Sequence, residues 1–148
     1  ARHDMSLASL CSGIALANAG LGAVHGFAAP VGGAFPAPHG AVCAALLPAV
    51  MEVNLRVLKS RLHDSPAIAR YQQIAEILTG RAGASPEDGI AWVLNLRTVL
   101  RISGLSAHGV TRADVPDLVA KAARASSMKA NPAPLSQEEL QEILVKSL

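Results

Sequence analysis

Two histidines, His25 and His39, bracket the stretch that most constrains how this chain can fold, VHGFAAPVGGAFPAPHG. Six glycines and prolines lie between the two histidines, and the stretch contains no Asp, Glu, Lys or Arg. Glycine and proline favour turns, but a loop this apolar is poorly suited to water. We therefore expect the chain to reverse direction inside its own core and to keep both imidazoles there.

The remaining composition favours helices. The chain has 148 residues, enough for one domain with a sizeable core, and 51% of them are apolar but only 3% aromatic. The core must therefore consist of Ala, Leu, Val and Ile, and abundant Ala and Leu favour helix over strand. No segment shows the period-two alternation of a strand. The sequence predicts an all-α, multi-helix domain with a buried N-terminal third and a solvated remainder.

The first three predicted helices surround the histidines. Asp4 or Ser6 caps a helix that runs to about residue 18, and because this helix is apolar on nearly every face we expect it to be central and buried. A short helix over residues 23–29 carries His25 and ends at Pro30. The next helix covers about residues 39–60, begins directly after a proline, and should kink at Pro48.

Start and stop signals also mark the later helices. Pro66 opens a helix that Gly80 ends, and Ser85 precedes a proline and two acidic residues, which is a strong start signal. Two further helices are predicted over residues 118–125 and 140–148, the second introduced by Ser136.

Several classes of protein are disfavoured. The formal charge of +2 is spread along the chain, and with so few aromatic residues we expect no nucleic-acid partner. The apolar start resembles a signal peptide, but Asp4 interrupts its basic region. The apolar run over residues 41–53 is too short to cross a bilayer, so we expect no membrane association. The isolated Cys11 and Cys43 are typical of buried thiols in a reducing compartment, and we expect a cytoplasmic protein.

The histidines allow two interpretations. His25 and His39 are fourteen positions apart, too far for a pair on one helix, and two imidazoles are too few for a metal site. On spacing alone, two buried histidines hydrogen-bonded to the backbone are favoured. Among nearby donors only Cys43, one turn after His39, is in suitable register, so a metal site would need ligands from another segment. Surface positions are predicted for the other three histidines, His3, His63 and His108.

The run Gly20-Leu21-Gly22-Ala23-Val24-His25 has the beginning of a dinucleotide-binding fingerprint. A histidine occupies the place of the third glycine, and no strand precedes the run. Close helix packing is the better explanation of these glycines.

A longer pattern resembles a known family. The region NAGLGAVHGFAAPVGGAFPAPHGAVCAALLPAVMEVN and the tail NPAPLSQEELQEILVKSL resemble the iron-containing (group III) alcohol dehydrogenases, and the resemblance covers nearly the whole chain. It implies that residues 1–148 form the dehydroquinate-synthase-like helical domain that binds metal and substrate. The NAD(P)-binding α/β domain would be an N-terminal partner that this chain lacks.

The resemblance also implies a ligand set. In this family an Asp and three His hold a divalent metal, here Fe²⁺ or Zn²⁺; His25 and His39 match two of the histidines, and the other two ligands would precede Ala1. No catalytic or cofactor-binding residue is assigned. Ala29 stands where the family usually has a histidine near the nicotinamide, and Ala49 stands where many members have another. Neither position can therefore contribute an imidazole to the family's usual proton path.

The activity implied is reversible hydride transfer between a small alcohol or aldehyde and NAD or NADP, the nucleotide being bound mainly by the missing domain. We expect this fragment alone to be inactive, and the complete enzyme is compatible with a homodimer. A maleylacetate-reductase-like activity is an alternative within the enzyme class. A non-catalytic helical module derived from the family is the alternative outside it.

Overall fold

The computed structural model describes residues 1–148 and contains helices but no strand, which confirms the all-α prediction. Three short 3₁₀ helices, Leu105–His108, Arg112–Asp114 and Ser126–Ala130, connect the later elements. The seven α-helices are α1 (Arg2–Ala19), α2 (Ala23–Ala34), α3 (His39–Arg61), α4 (Pro66–Thr79), α5 (Pro86–Val99), α6 (Val115–Ala123) and α7 (Gln137–Ser147).

Helix α3 lies at the centre of the core. It packs against α2, α5 and α7, while α6 packs against α2 and α7. Most of the largest fully buried side chains come from these helices, and they include Phe27, Leu46, Leu58, Leu118 and Ile143. Burial of one such side chain contributes about 1.5–3 kcal/mol, so aliphatic packing compensates for the scarcity of aromatic residues.

Local capping chemistry sets the ends of the surface helices where it was predicted. The hydroxyl of Ser65 caps α4, and Gly80 ends that helix in the left-handed conformation with φ 67°. Ser85 and Ser136 each form a reciprocal capping box with the acidic residue three positions later. Helices α4 and α5 then pack against each other as a hairpin on one side of α3.

Neither interior proline ends its helix. The prediction that Pro30 closes the second helix is wrong, because α2 continues to Ala34, where the Phe35 N–H still donates to the Val31 carbonyl at 2.9 Å. Pro30 removes one backbone donor, but the fully buried Val31 holds the following turn against the core. Helix α3 likewise runs on through the buried Pro48.

Helix α1 differs most from its prediction. It meets α2 at 104°, and none of its residues is buried, so the expectation of a central first helix is wrong. The N-terminal third is buried only from α2 onward. An apolar surface on every side indicates that a helix needs cover, but the rest of this chain does not supply it. The thiols were also mispredicted, since Cys11 on α1 is exposed and Cys43 is half-buried. Exposed apolar side chains on α1 include Met5, Leu7, Leu10, Ile14 and Leu16.

The apolar run of residues 41–53 belongs to α3 (His39–Arg61), close to the predicted range of about 39–60. At 23 residues, α3 has the length and apolarity of a membrane span by composition. Within its most apolar window, 61% of the residues are buried inside the domain, as is typical of a core helix.

Candidate metal centre

The first turn of α2 places His25. Gly22 precedes this helix and has no side chain with which to cap it, so the amide oxygen of Asn131 accepts a hydrogen bond from the Ala23 N–H at 3.0 Å. A Cβ on Gly22 would lie 3.0 Å from that same oxygen, which explains the glycine by close packing. His25 is the third residue of the helix begun in this way.

A second amide holds Asn131 in position. The Asn131 amide nitrogen donates to the Asn54 side-chain oxygen at 2.8 Å and to the Ala133 carbonyl at 2.7 Å, while Asn54 donates back to Asn131 at 3.2 Å. Asn54 is buried on α3. This amide pair therefore ties α2, α3 and the C-terminal segment together beside His25, and sequence reasoning missed it.

His39 and Cys43 come from the first two turns of α3. Pro38 precedes the helix with an extended backbone (ψ 130°), and His39 is its first residue. Cys43 follows four residues later on the same helix face, with its Sγ 3.4 Å from Nε2 of His39.

The two histidines converge. Their ring centroids are 5.4 Å apart with the planes inclined by 48°. Ligand-type atoms of His25, His39 and Cys43 all lie within 4.8 Å of one another, and no other His, Cys, Asp or Glu joins this cluster. His3 and His63 are exposed and His108 is half-buried, all outside it.

The favoured interpretation of buried, backbone-bonded histidines is wrong. His25 is half-buried and His39 is exposed, and the hydrogen-bond partner of His39 is the Cys43 thiol. The stretch between the histidines is mostly helix rather than loop, because Phe27 and Val31 anchor α2 in the core and leave only residues 35–38 to reverse the chain. The reversal brings the imidazoles to the surface instead of into the core.

The surroundings keep His25 in its metal-binding form. Burial, and then the nearby charge of His39, lower the pKa of His25. A neutral imidazole has a free lone pair for a cation. Burial raises the pKa of the Cys43 thiol.

An apolar cavity of about 610 Å³ adjoins the cluster. His25 and Cys43 lie on its wall, and Asn54, Tyr71 and Asn131 line another part of it. The apolar part of the wall includes Leu21, Val24, Leu47, Val50 and Met51. The arrangement provides two nitrogen donors and one sulfur donor beside a space that fits a small organic molecule.

Comparison with known proteins identifies the fold. The family model for the C-terminal region of the Fe-containing alcohol dehydrogenase family matches residues 1–148. This chain belongs to that family. The resemblance carried by the glycine–histidine stretch is thereby confirmed.

The relatives are iron-type alcohol dehydrogenases. The chain is 34% identical to 1,3-propanediol dehydrogenase of Citrobacter freundii, covering 97% of this chain and 36% of that protein. It is 32% identical to alcohol dehydrogenase 4 of Saccharomyces cerevisiae, covering 99% and 37%. A crystal structure of 1,3-propanediol oxidoreductase superposes with a TM-score of 0.81 at 31% identity, covering 97% of this chain and 37% of that one. The chain thus spans little more than a third of the length of these relatives.

The donor atoms of the cluster are of types that bind the family's metal, but they are fewer than a complete site needs. Imidazole and thiol are donors that suit divalent iron and zinc. Three side chains are one fewer than a closed tetrahedral site needs, and the cluster contains no carboxylate. Ala29 is exposed one turn after His25, and Ala49 is buried.

Proposed function

We propose that residues 1–148 are the metal- and substrate-binding domain of an NAD(P)-dependent alcohol dehydrogenase that transfers hydride reversibly between a small alcohol and nicotinamide. The observation that carries the proposal is the convergence of His25 and His39, from two different helices, at the edge of an apolar cavity. Membership of the iron-containing family supplies the reaction class.

The nucleotide-binding domain is the partner that this proposal requires. The relatives are almost three times as long as this chain, and α1 exposes apolar side chains on a helix that lacks any buried residue. A second domain that covers α1 and the open side of the cavity would bury that surface and enclose the reaction. The free thiols agree with a cytoplasmic location.

His25 and His39 would hold Fe²⁺ or Zn²⁺ together with an Asp and a third His from the remainder of the protein. Such a cation, when bound, supplies a Lewis acid that withdraws electron density from an alcohol oxygen. His25 is suited to this role because its lowered pKa leaves it neutral near neutral pH.

The other residues of the chain shape the site and exclude water. The cavity wall is mostly apolar, so it would hold the hydrocarbon part of a small alcohol or aldehyde and keep bulk water from the hydride. Ala29 carries no group that can accept or donate a proton, so the proton of the alcohol must leave by another path.

Ala29 is also the observation that favours a second candidate. A non-catalytic domain would retain the fold and the two histidine donors, the half-buried His25 and the exposed His39, but would not need an imidazole at position 29. The two candidates differ in whether the full-length protein turns over nicotinamide.

The full-length protein tests the proposal by metal analysis and by NADH and NADPH oxidation with aldehydes and enone acids. His39→Ala should remove both the bound metal and metal-dependent turnover. His63→Ala is the matched control, because His63 is 76% exposed and lies outside the cluster. Unchanged metal content and turnover in His39→Ala would refute the proposal. Metal binding without any turnover would support the non-catalytic domain, and turnover of enone acids alone would support a maleylacetate-reductase-like activity.

A further inference from the structure

We infer that the Cys43 sulfur binds the same cation as His25 and His39, so that this chain presents two nitrogens and one sulfur to the metal. The inference rests on the proposed function, because it assumes that the two imidazoles share a cation. It adds a sulfur, as a fifth donor, to the set of one Asp and three His that the family resemblance implies.

The separation of the donor atoms is the first support. Zinc with bonds of about 2.0–2.1 Å to nitrogen and 2.3 Å to sulfur holds neighbouring ligand atoms about 3–4 Å apart, whether it has four ligands or five. The Cys43 Sγ and the His39 Nε2 are 3.4 Å apart, and the third donor, on His25, lies within 4.8 Å of both. One cation can therefore reach all three with small side-chain rotations.

The placement of the thiol is the second support. Cys43 is one helical turn after His39, so α3 presents both donors on one face, while His25 approaches from α2. Cys43 is half-buried on the wall of the cavity, and its sulfur has no hydrogen-bond partner apart from His39. Cys11 has neither feature, since it is exposed on α1 and does not belong to the donor cluster.

The sulfur would change which metal the site prefers. Affinity for divalent metals rises from Fe²⁺ through Co²⁺ to Cu²⁺ and falls again at Zn²⁺, while thiolate is a softer ligand than imidazole or carboxylate and favours zinc. The thiol proton passes to the buffer when sulfur binds, and no other bond is broken. We therefore expect the complete protein to prefer Zn²⁺ and Co²⁺ over Fe²⁺ more strongly than a site of nitrogen and oxygen donors does.

Cobalt substitution of the full-length protein tests this without relying on activity. Protein freed of metal and loaded with Co²⁺ should show a near-ultraviolet sulfur-to-cobalt charge-transfer band. Cys43→Ser should lose that band and bind Zn²⁺ at least about tenfold more weakly in a chelator competition. Cys11→Ser is the matched control and should keep both properties. Cys43→Ala is measured in parallel, with melting temperatures, so that a folding defect in one variant does not decide the result.

The outcomes separate the inference from the proposed function. If Cys43→Ser and Cys43→Ala keep the band and the Zn²⁺ affinity while His39→Ala loses Co²⁺, the sulfur is not a ligand and the proposed function stands. If neither His25→Ala nor His39→Ala changes Co²⁺ binding, the proposed function fails and the inference fails with it.

Discussion

Replacement of Asn131 by alanine should loosen the turn that carries His25. The Asn131 oxygen accepts hydrogen bonds from the Ala23 N–H and from Asn54, and its nitrogen donates to Asn54 and to the Ala133 carbonyl. In Asn131→Ala the first N–H of α2 and the amide of Asn54 lose these partners. Asn54 is only 3% exposed, so water replaces them poorly.

The loss of stability can be estimated from the polar groups that lose their hydrogen-bond partners. An unsatisfied buried polar group costs about 1–3 kcal/mol, and loss of a helix N-cap costs about 1 kcal/mol. Asn131 is itself half-buried, so water relieves part of the cost, and we expect a total of about 3 kcal/mol. For a chain of this size that corresponds to a lowering of Tm by about 9 °C.

Urea unfolding of the 148-residue chain measures the loss. Asn95→Ala on the exposed surface of α5 is the matched control and should stay within about 0.5 kcal/mol of the parent. Asn54→Ala and the double variant complete a cycle, in which the double variant should cost at least about 1 kcal/mol less than the two single changes added together. A cost below about 0.5 kcal/mol for Asn131→Ala, or strict additivity, would contradict the role of the amide pair.

Three further predictions concern an ion pair, a glycine contact and the lost histidine. Arg56, hydrogen-bonded to Glu142, lowers the pKa of that carboxyl from 4.5 to about 2. Because the pKa is lower in the folded protein, ionised Glu142 stabilises the fold above pH 4.5, and this stabilisation is lost as the pH falls toward 2. Arg56 is half-exposed, so we expect the ion pair to contribute about 1 kcal/mol to the free energy of unfolding. Glu142→Gln should remove this acid-dependent contribution in urea titrations across that pH range. Gly89→Ala would place a Cβ 2.8 Å from the Ala75 Cβ and should lower the free energy of unfolding by about 1–3 kcal/mol, because it separates α4 from α5. In the control Gly33→Ala the new Cβ meets nothing within 4 Å, so stability should be unchanged or higher. Equal effects of the two substitutions would argue against the contact. Ala29→His in the full-length protein should add an imidazole one turn from His25 and raise kcat, with a pH dependence centred at about 6.5. An unchanged pH profile of kcat would argue against a proton-relay role at this position.

Local signals predicted the outer helices well because the relevant chemistry lies within a few residues. Ser85 and Ser136 accept hydrogen bonds from backbone groups three positions ahead, and Gly80 provides the left-handed turn directly after α4. Such contacts can be predicted from residues that are neighbours in the sequence.

Features that depend on distant segments could not be read in this way. The cap on α2 comes from Asn131, which lies 108 positions away from Ala23, whose N–H donates the hydrogen bond, and no local pattern connects the two residues. The apolar pattern of α1 predicted a buried helix, but burial depends on which other segments pack against the helix, and none of its residues is buried. His25 and His39 could be named from the family pattern, while their 5.4 Å separation depends on the packing of α2 against α3.

The position of both imidazoles at the beginnings of helices has a consequence for how the protein assembles. His39 is the first residue of α3 and His25 the third of α2, where the aligned peptide dipoles place a partial positive charge. A divalent cation bound there is repelled by both helix ends. The metal affinity of this chain alone should therefore be lower than the number of its donor atoms suggests. An anionic group from the rest of the polypeptide would offset that repulsion. Under the proposed function, metal uptake and docking of the nucleotide-binding domain should therefore strengthen each other, because residues of both domains would bind the ion.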